Sequence, residues 1–166
     1  DRDLALEITS LGMPGFLIQL FSSILNLILN NALVIYGGDI AVSGMGIVTS
    51  IATLLVLPVI GLNQGLQPIV SFNYGAKNYE RVNKAARLAI IIATCMTSLG
   101  FILIRTIPVL MVSMFNQDKD LVEFTVHALQ TWLMILPFLG FQIIGSNFFQ
   151  AIGRPKRAMF LTLLRQ

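Results

Sequence analysis

Three amides recur along the first apolar stretch of the chain, Gln19, Asn26 and Asn30, spaced by seven and four, with Ser22 and Ser23 between them. That spacing gathers them on one face of a helix. A second set, Gln142, Ser146 and Gln150, keeps i, i+4 spacing on a later apolar stretch, with Asn147 beside it. Amides and hydroxyls in hydrocarbon must find hydrogen-bond partners, so each stripe faces either a neighbouring helix or a watery cavity. Both readings stand on sequence alone: interhelical hydrogen bonding, or the lining of a substrate path. The chemistry on offer is binding without charge.

Bond-making chemistry has little to work with. The chain has no pair of carboxylates in an apolar stretch, no His/Cys cluster and no phosphate-cradling glycine loop. An intramembrane hydrolase needs a nucleophile with a base beside it, and the single histidine, His127, has no evident partner. The chain is therefore not expected to be an enzyme, nor to hold a metal or other cofactor. His127 and Arg105 fall near the outer ends of apolar stretches, where an arginine snorkels to the interface and a histidine is an interfacial residue or, alternatively, a proton-linked one. Cys95 stands alone in an apolar run, so it forms no disulfide within the chain and reads as a small helix-packing residue.

The elements that must position these residues follow from composition. Of 166 residues, 55% are hydrophobic and 11% charged, against roughly a quarter charged in soluble domains. Apart from Asp39, no Asp, Glu, Lys or Arg occurs between Glu7 and Lys77, and none between Glu123 and Arg154. Such gaps are long enough for bilayer crossings, which take about 20 apolar residues each. The fold class expected is all-α, a polytopic transmembrane bundle of four complete helices plus the start of a fifth, at about 8–36, 40–72, 82–112, 121–152 and 158 onward. Gly37-Gly38-Asp39 supplies a tight turn. Pro58 and Pro68 predict a tilted or kinked second helix, Pro108 lies in the third and Pro137 near the middle of the fourth. Gly61 and Gly65, four apart, form a small-residue pair that permits close helix approach.

The net charge of +3 does not indicate a nucleic-acid partner, because the bases are gathered in short connections. Lys77, Arg81, Lys84 and Arg87 lie between helices two and three, and Arg154, Lys156 and Arg157 follow helix four. By the positive-inside tendency the loops at 74–87 and 153–157 are cytoplasmic, in a multi-pass protein of the cell membrane. The chain opens with Asp1 and closes at Gln166 just after a new apolar run begins, which reads as a fragment.

Three strings in register carry a resemblance: Gly61-Leu62-Asn63-Gln64-Gly65-Leu66-Gln67-Pro68, then Asn73-Tyr74-Gly75-Ala76-Lys77, then Asn147-Phe148-Phe149-Gln150-Ala151-Ile152-Gly153-Arg154-Pro155-Lys156. Together they resemble the MATE family, the multidrug and toxic compound extrusion transporters, in its MepA/DinF-like branch. The resemblance covers nearly the whole chain from Ile8 onward. It implies that residues 1–166 are part of a six-helix C-terminal lobe, helices seven to ten and the beginning of eleven, with the N-terminal lobe absent and a necessary partner. It further implies a lipid bilayer and small amphipathic, often cationic substrates as partners, the substrates being exported by alternating access driven by Na+ or H+. Some members carry an acid in helix seven, eight positions after the proline of a Leu-Gly-x-Pro start; here that start is Leu11-Gly12-Met13-Pro14 and the position holds Ser22. The coupling site is therefore expected in the missing lobe. Gln19, Asn26, Asn30, Gln142, Ser146 and Gln150 become candidates for lining the cavity. Structural and gating work is expected of Pro58, Gly61, Gly65, Pro68, Asn73, Gly75 and Pro137. Two other readings remain: a flippase of the same superfamily for lipid-linked or amphiphilic cargo, whose phosphate would call for mid-membrane cations, and a transport-incompetent half or scaffold.

Overall fold

The computed structural model describes residues 2–153, 158 and 160–162, with side chains from Phe16 onward except Ile18. The basic residues Arg154, Lys156 and Arg157, and the side chains of Leu11 to Pro14, lie outside that set. The described residues are helical throughout, apart from short connections.

Helix α1 runs Arg2–Gly75, 74 residues, and leaves helical backbone at Gly38, with φ 61° and ψ −158°. Unbroken, it would extend about 110 Å, several times the thickness of a bilayer core. The backbone at Gly38 lies in a region that only glycine occupies without strain. The turn expected over residues 37–39 is thus confined to one residue, and the two arms of α1 flank it. Pro58 and Pro68 do not end the helix. The backbone keeps helical dihedrals through both, Gly38 being the interruption. Each proline forfeits one hydrogen bond, and both are exposed.

The other two prolines do break their helices. Helix α2 spans Tyr79–Thr106 and gives way at Ile107, which has φ −133° and precedes Pro108; the one-turn-and-a-half α3, Pro108–Ser113, then restarts with Pro108 in its first turn. The residue before a proline is pushed out of the α region, and proline at a helix start lacks only an N–H that would be unpaired anyway. Helix α4, Lys119–Trp132, is capped by Asp118, whose carboxylate accepts from the Asp120 and Leu121 amides at 3.0 and 3.4 Å. Helix α5, Leu136–Ala151, begins beside Pro137 and meets α4 at a 50° bend. Pro137 has no N–H for the Leu133 carbonyl, so the chain crosses the gap with Leu136 N–H donating to Leu133 O at 3.1 Å instead. The continuous helices expected at 82–112 and 121–152 are therefore each split.

The end of α1 closes with paired reverse bonds. The Asn78 amide donates to Asn73 O at 2.8 Å and the Lys77 amide to Tyr74 O at 3.1 Å. This is the Schellman arrangement, and its left-handed residue is Lys77, φ 60°. Gly153, φ 73°, plays the same part after α5.

Two apolar clusters hold the helices together. One joins Val48 and Ile51 of α1 to Ile104, Val112, Leu129, Leu133 and Leu136, around the two proline breaks. The other joins Val59, Leu66 and Val70 to Val82, Ala89, Ala93 and Ile144. Buried positions of the second arm, 41, 44, 48, 51, 59, 66 and 70, follow the helical period; the described side chains from 16 to 40 include none. Gly61 and Gly65 are exposed, with open space among the described residues where a Cβ would stand. The close approach occurs at Gly140, where a Cβ would fall 2.6 Å from the Ala93 carbonyl oxygen and 2.8 Å from Thr97 Oγ1. Cys95 is exposed, not packed between helices. Gln19–Gly75 and Tyr79–Thr106 are each long and apolar enough to cross a membrane, and the α4–α5 pair passes as one bent span. Gly38 divides the first of these.

Candidate functional site

A polar concavity lies along the break in α1. The first arm contributes Asn26, Leu29, Asn30 and Leu33, and the second arm Val42, Met45, Gly46, Thr49, Ser50, Thr53 and Leu54. Phe115 from the connection before α4 and Trp132 from its last turn complete a groove of about 890 Å³. Its position follows from the chain's local rules. Gly38 bends α1, and the helical period turns Asn26 and Asn30 toward a matching run of hydroxyls on the other arm.

Hydrogen bonding fixes what those groups present. Thr49 Oγ1 donates to Met45 O at 2.8 Å, Ser50 Oγ to Gly46 O at 2.9 Å and Thr53 Oγ1 to Thr49 O at 2.8 Å. Asn26 Nδ2 likewise donates to Ser22 O at 3.0 Å. With the protons turned back onto the preceding turn, the hydroxyl oxygens keep their lone pairs as acceptors. Among the described residues no Asp, Glu, Lys, Arg or His lines the groove, and two aromatic rings do. Such a surface accepts N–H donors and offers π faces and apolar walls to a flat or amphipathic molecule.

The other predicted residues lie elsewhere. Gln19 is exposed on the first arm and outside the lining. Ser146, buried on α5, contacts the segment after it: its hydroxyl donates to Ala158 O at 3.1 Å or shares a bond with Thr162 Oγ1 at 2.7 Å. Gln142 Nε2 reaches Leu161 O at 3.5 Å, while its Oε1 is buried without a partner among the described residues. Gln150 is exposed. The structure thus separates the two amide stripes, bringing Asn26 and Asn30 to the groove and Gln142 and Ser146 to a helix contact. Asn73 Nδ2 returns to Ile69 O at 2.8 Å beside the Schellman turn, and Gly75, Pro58 and Pro68 are exposed. Pro137 sits at the α4–α5 bend, its carbonyl 3.2 Å from the buried Thr97 hydroxyl of α2. Arg105 lies over the Phe101 ring at 5.4 Å, and His127 borders a separate groove with Glu123 and Lys119.

Sequence reasoning missed Thr49, Ser50, Thr53 and Trp132. A signal was present, since Thr49 and Thr53 keep the same i, i+4 spacing as the amides.

A bundle of long apolar helices, broken at glycine and proline and opening an uncharged polar groove, defines a polytopic membrane transporter component. The MatE family model matches residues 14–166, and the chain belongs to that family, whose members are secondary transporters and not enzymes. The multidrug export protein MepA of Staphylococcus aureus (strain MSSA476) is 26% identical over 165 residues, covering 99% of this chain and 36% of that protein. MepA of Staphylococcus saprophyticus is 21% identical over 164 residues with the same coverage. Among solved structures, a ligand complex of the MATE multidrug transporter DinF-BH superposes with a TM-score of 0.84 at 30% identity, over 99% of this chain and 37% of that one. A MATE structure in complex with MaL6 matches with a TM-score of 0.84 at 25% identity, covering 99% and 37%. The chain spans about 36% of the length of the curated relatives it matches. Membership places it among multi-pass plasma-membrane proteins.

Proposed function

We propose that this chain is part of the C-terminal lobe of a cation-coupled multidrug antiporter, and that the groove along the α1 break is its share of the substrate path. The observation that carries the reading is the groove's make-up: amide and hydroxyl acceptors between apolar walls and aromatic rings, with no charged side chain. That surface suits small amphipathic compounds, including cations bound through ring faces. The relatives named as multidrug export proteins, and the DinF-BH complex with a ligand, support the same assignment. Coupling to Na+ or H+ is assigned to the N-terminal lobe, because Asp39 is the one acid between Glu7 and Lys77 and it adjoins the Gly38 break. Lys77–Arg87 is placed on the cytoplasmic side, since the bases collect there.

Rocking of one lobe against another gives alternating access, so the test uses the full-length protein that carries this segment. Asn26→Leu is expected to change the resistance profile toward cationic dyes without loss of expression, whereas Gln142→Leu, at a helix contact outside the groove, is expected to leave that profile unchanged. Unchanged resistance of the Asn26→Leu variant to every compound tested, at equal expression, would sink the reading. A flippase for phosphate-bearing cargo would need cations in the path, and the groove lining has none.

A further inference from the structure

Outside the substrate groove, a second concavity lies on the outward face of α2. It is lined by Asn83, Lys84, Arg87, Leu88 and Ile91 and has a volume of about 350 Å³. The opposite face of the same helix, at Val82, Ala86 and Ala89, is the one buried in the bundle. The groove therefore looks away from the core formed by the described helices. It runs between two side-chain ridges spaced by four: Asn83, Arg87 and Ile91 on one side, Lys84 and Leu88 on the other. Polarity changes along it. The end nearer the 76–78 connection carries an ammonium, a guanidinium and an amide, and the far end carries Leu88 and Ile91, which are 58% and 52% exposed.

Lys84 and Arg87 make no ion pair among the described residues, so their charge is not neutralised within the chain. Glu80 lies one turn before Lys84 on the same ridge, and no ion pair joins the two among the described residues. From Lys84 to Ile91 the helix rises about 10 Å. That span takes a headgroup phosphate at one end and the upper part of an acyl chain at the other. Arginine presents a fork that matches a phosphate, lysine a point charge beside it. A free inorganic anion would leave the apolar half of the groove unused, and an uncharged lipid would leave the two cations unpaired.

We propose that this groove is a binding site for an anionic phospholipid, with the phosphodiester held between Lys84 and Arg87 and one acyl chain laid along Leu88 and Ile91. The occupant is a lipid of the leaflet that meets the Lys77–Arg87 connection, and its binding is independent of what the transporter exports.

The experiment takes the full-length transporter, purified in detergent and offered phosphatidylglycerol or phosphatidylcholine, with bound lipid counted by native mass spectrometry. Phosphatidylglycerol should be retained in preference. The double variant Lys84→Gln/Arg87→Gln should lose on the order of tenfold of that retention, about what two juxtamembrane charges contribute at an anionic surface after screening. Lys84→Gln alone, which leaves Arg87 to support folding, should lose part of it. Lys119→Gln, in a distant connection, should lose none. Glycerol 3-phosphate, which has the headgroup charge without acyl chains, should fail to displace the lipid. Equal retention of the two lipids by the unaltered protein overturns the proposal, as does full retention of phosphatidylglycerol by either Lys84 variant. Displacement by glycerol 3-phosphate would identify a simple anion site and overturn the lipid assignment.

Discussion

At Thr49 and Thr53 the hydroxyl proton is already committed to a carbonyl one turn back, at 2.8 Å in each case. Each oxygen therefore enters the groove as an acceptor, a polarity that the residue type alone leaves undecided. Replacing both with valine keeps the shape and deletes two acceptors. A ligand bond of this kind is worth about 1 kcal/mol net, so Thr49→Val/Thr53→Val is expected to weaken recognition of N–H-bearing compounds by roughly fivefold or more. Dye-efflux titrations at matched expression would measure it, with purely apolar compounds as the internal control. If all compounds shifted together, the effect would be on the fold and not on the acceptors. Asn26 differs from these hydroxyls: one amide proton goes to Ser22 O at 3.0 Å, and the side chain retains both a donor and an acceptor for the groove.

Among the helices, two glycines carry the architecture for different reasons. Gly38 has a backbone conformation closed to other residues, φ 61° with ψ −158°. Gly140 has no such demand, but its missing side chain lets α5 touch the backbone of α2, with 2.6 Å from a built Cβ to Ala93 O. Gly38→Ala should cost about 1–3 kcal/mol through backbone strain. Gly140→Ala should cost a similar ~1–3 kcal/mol through overpacking against atoms that cannot step aside. Gly61→Ala, in open space within a helix, should be neutral or slightly stabilising. Thermal melts of the three variants in detergent rank them directly, and a Gly140→Ala protein as stable as the unaltered one would show that α2 and α5 are not held in contact. Breaking the ladder at Pro137 has a further consequence, because its carbonyl accepts from Thr97 at 3.2 Å just below that contact. Bend and close approach reinforce each other.

On the scale of the whole molecule, the first arm of α1 is the element least engaged by the rest of the chain. Leu27, Ile28, Ile35 and Tyr36 are among its exposed side chains, and no described side chain from 16 to 40 is buried. In a membrane such a surface meets lipid tails, which solvate it as well as leucine would, or another part of the transporter. Sidedness is open to measurement. In a Cys95→Ser background, which removes the exposed native thiol, a cysteine at Asn78 should react with a membrane-impermeant reagent only from the cytoplasmic face. A cysteine at Gln117 should react only from the outside. Labelling of both positions from one side would refute the odd number of crossings between them that the positive-inside pattern requires.

The order of apolar segments, the gathering of bases into connections and the family motifs are all one-dimensional properties, and the sequence alone was enough to specify a polytopic α-helical segment of a MATE-family protein. Helical spacing also placed Asn26 with Asn30, and Gln142 with Ser146, on common faces. What each face meets is a different question, because a period sets direction relative to the helix and not relative to its neighbours. Only the tertiary structure put the first pair on a groove and the second against residues 158–162. The prolines show the same division. Pro58, Pro68, Pro108 and Pro137 lack the same N–H, yet the helix ends near Pro108 and Pro137 and runs on through Pro58 and Pro68. Local chemistry supplies the weak points, and only the tertiary structure shows which of them end a helix.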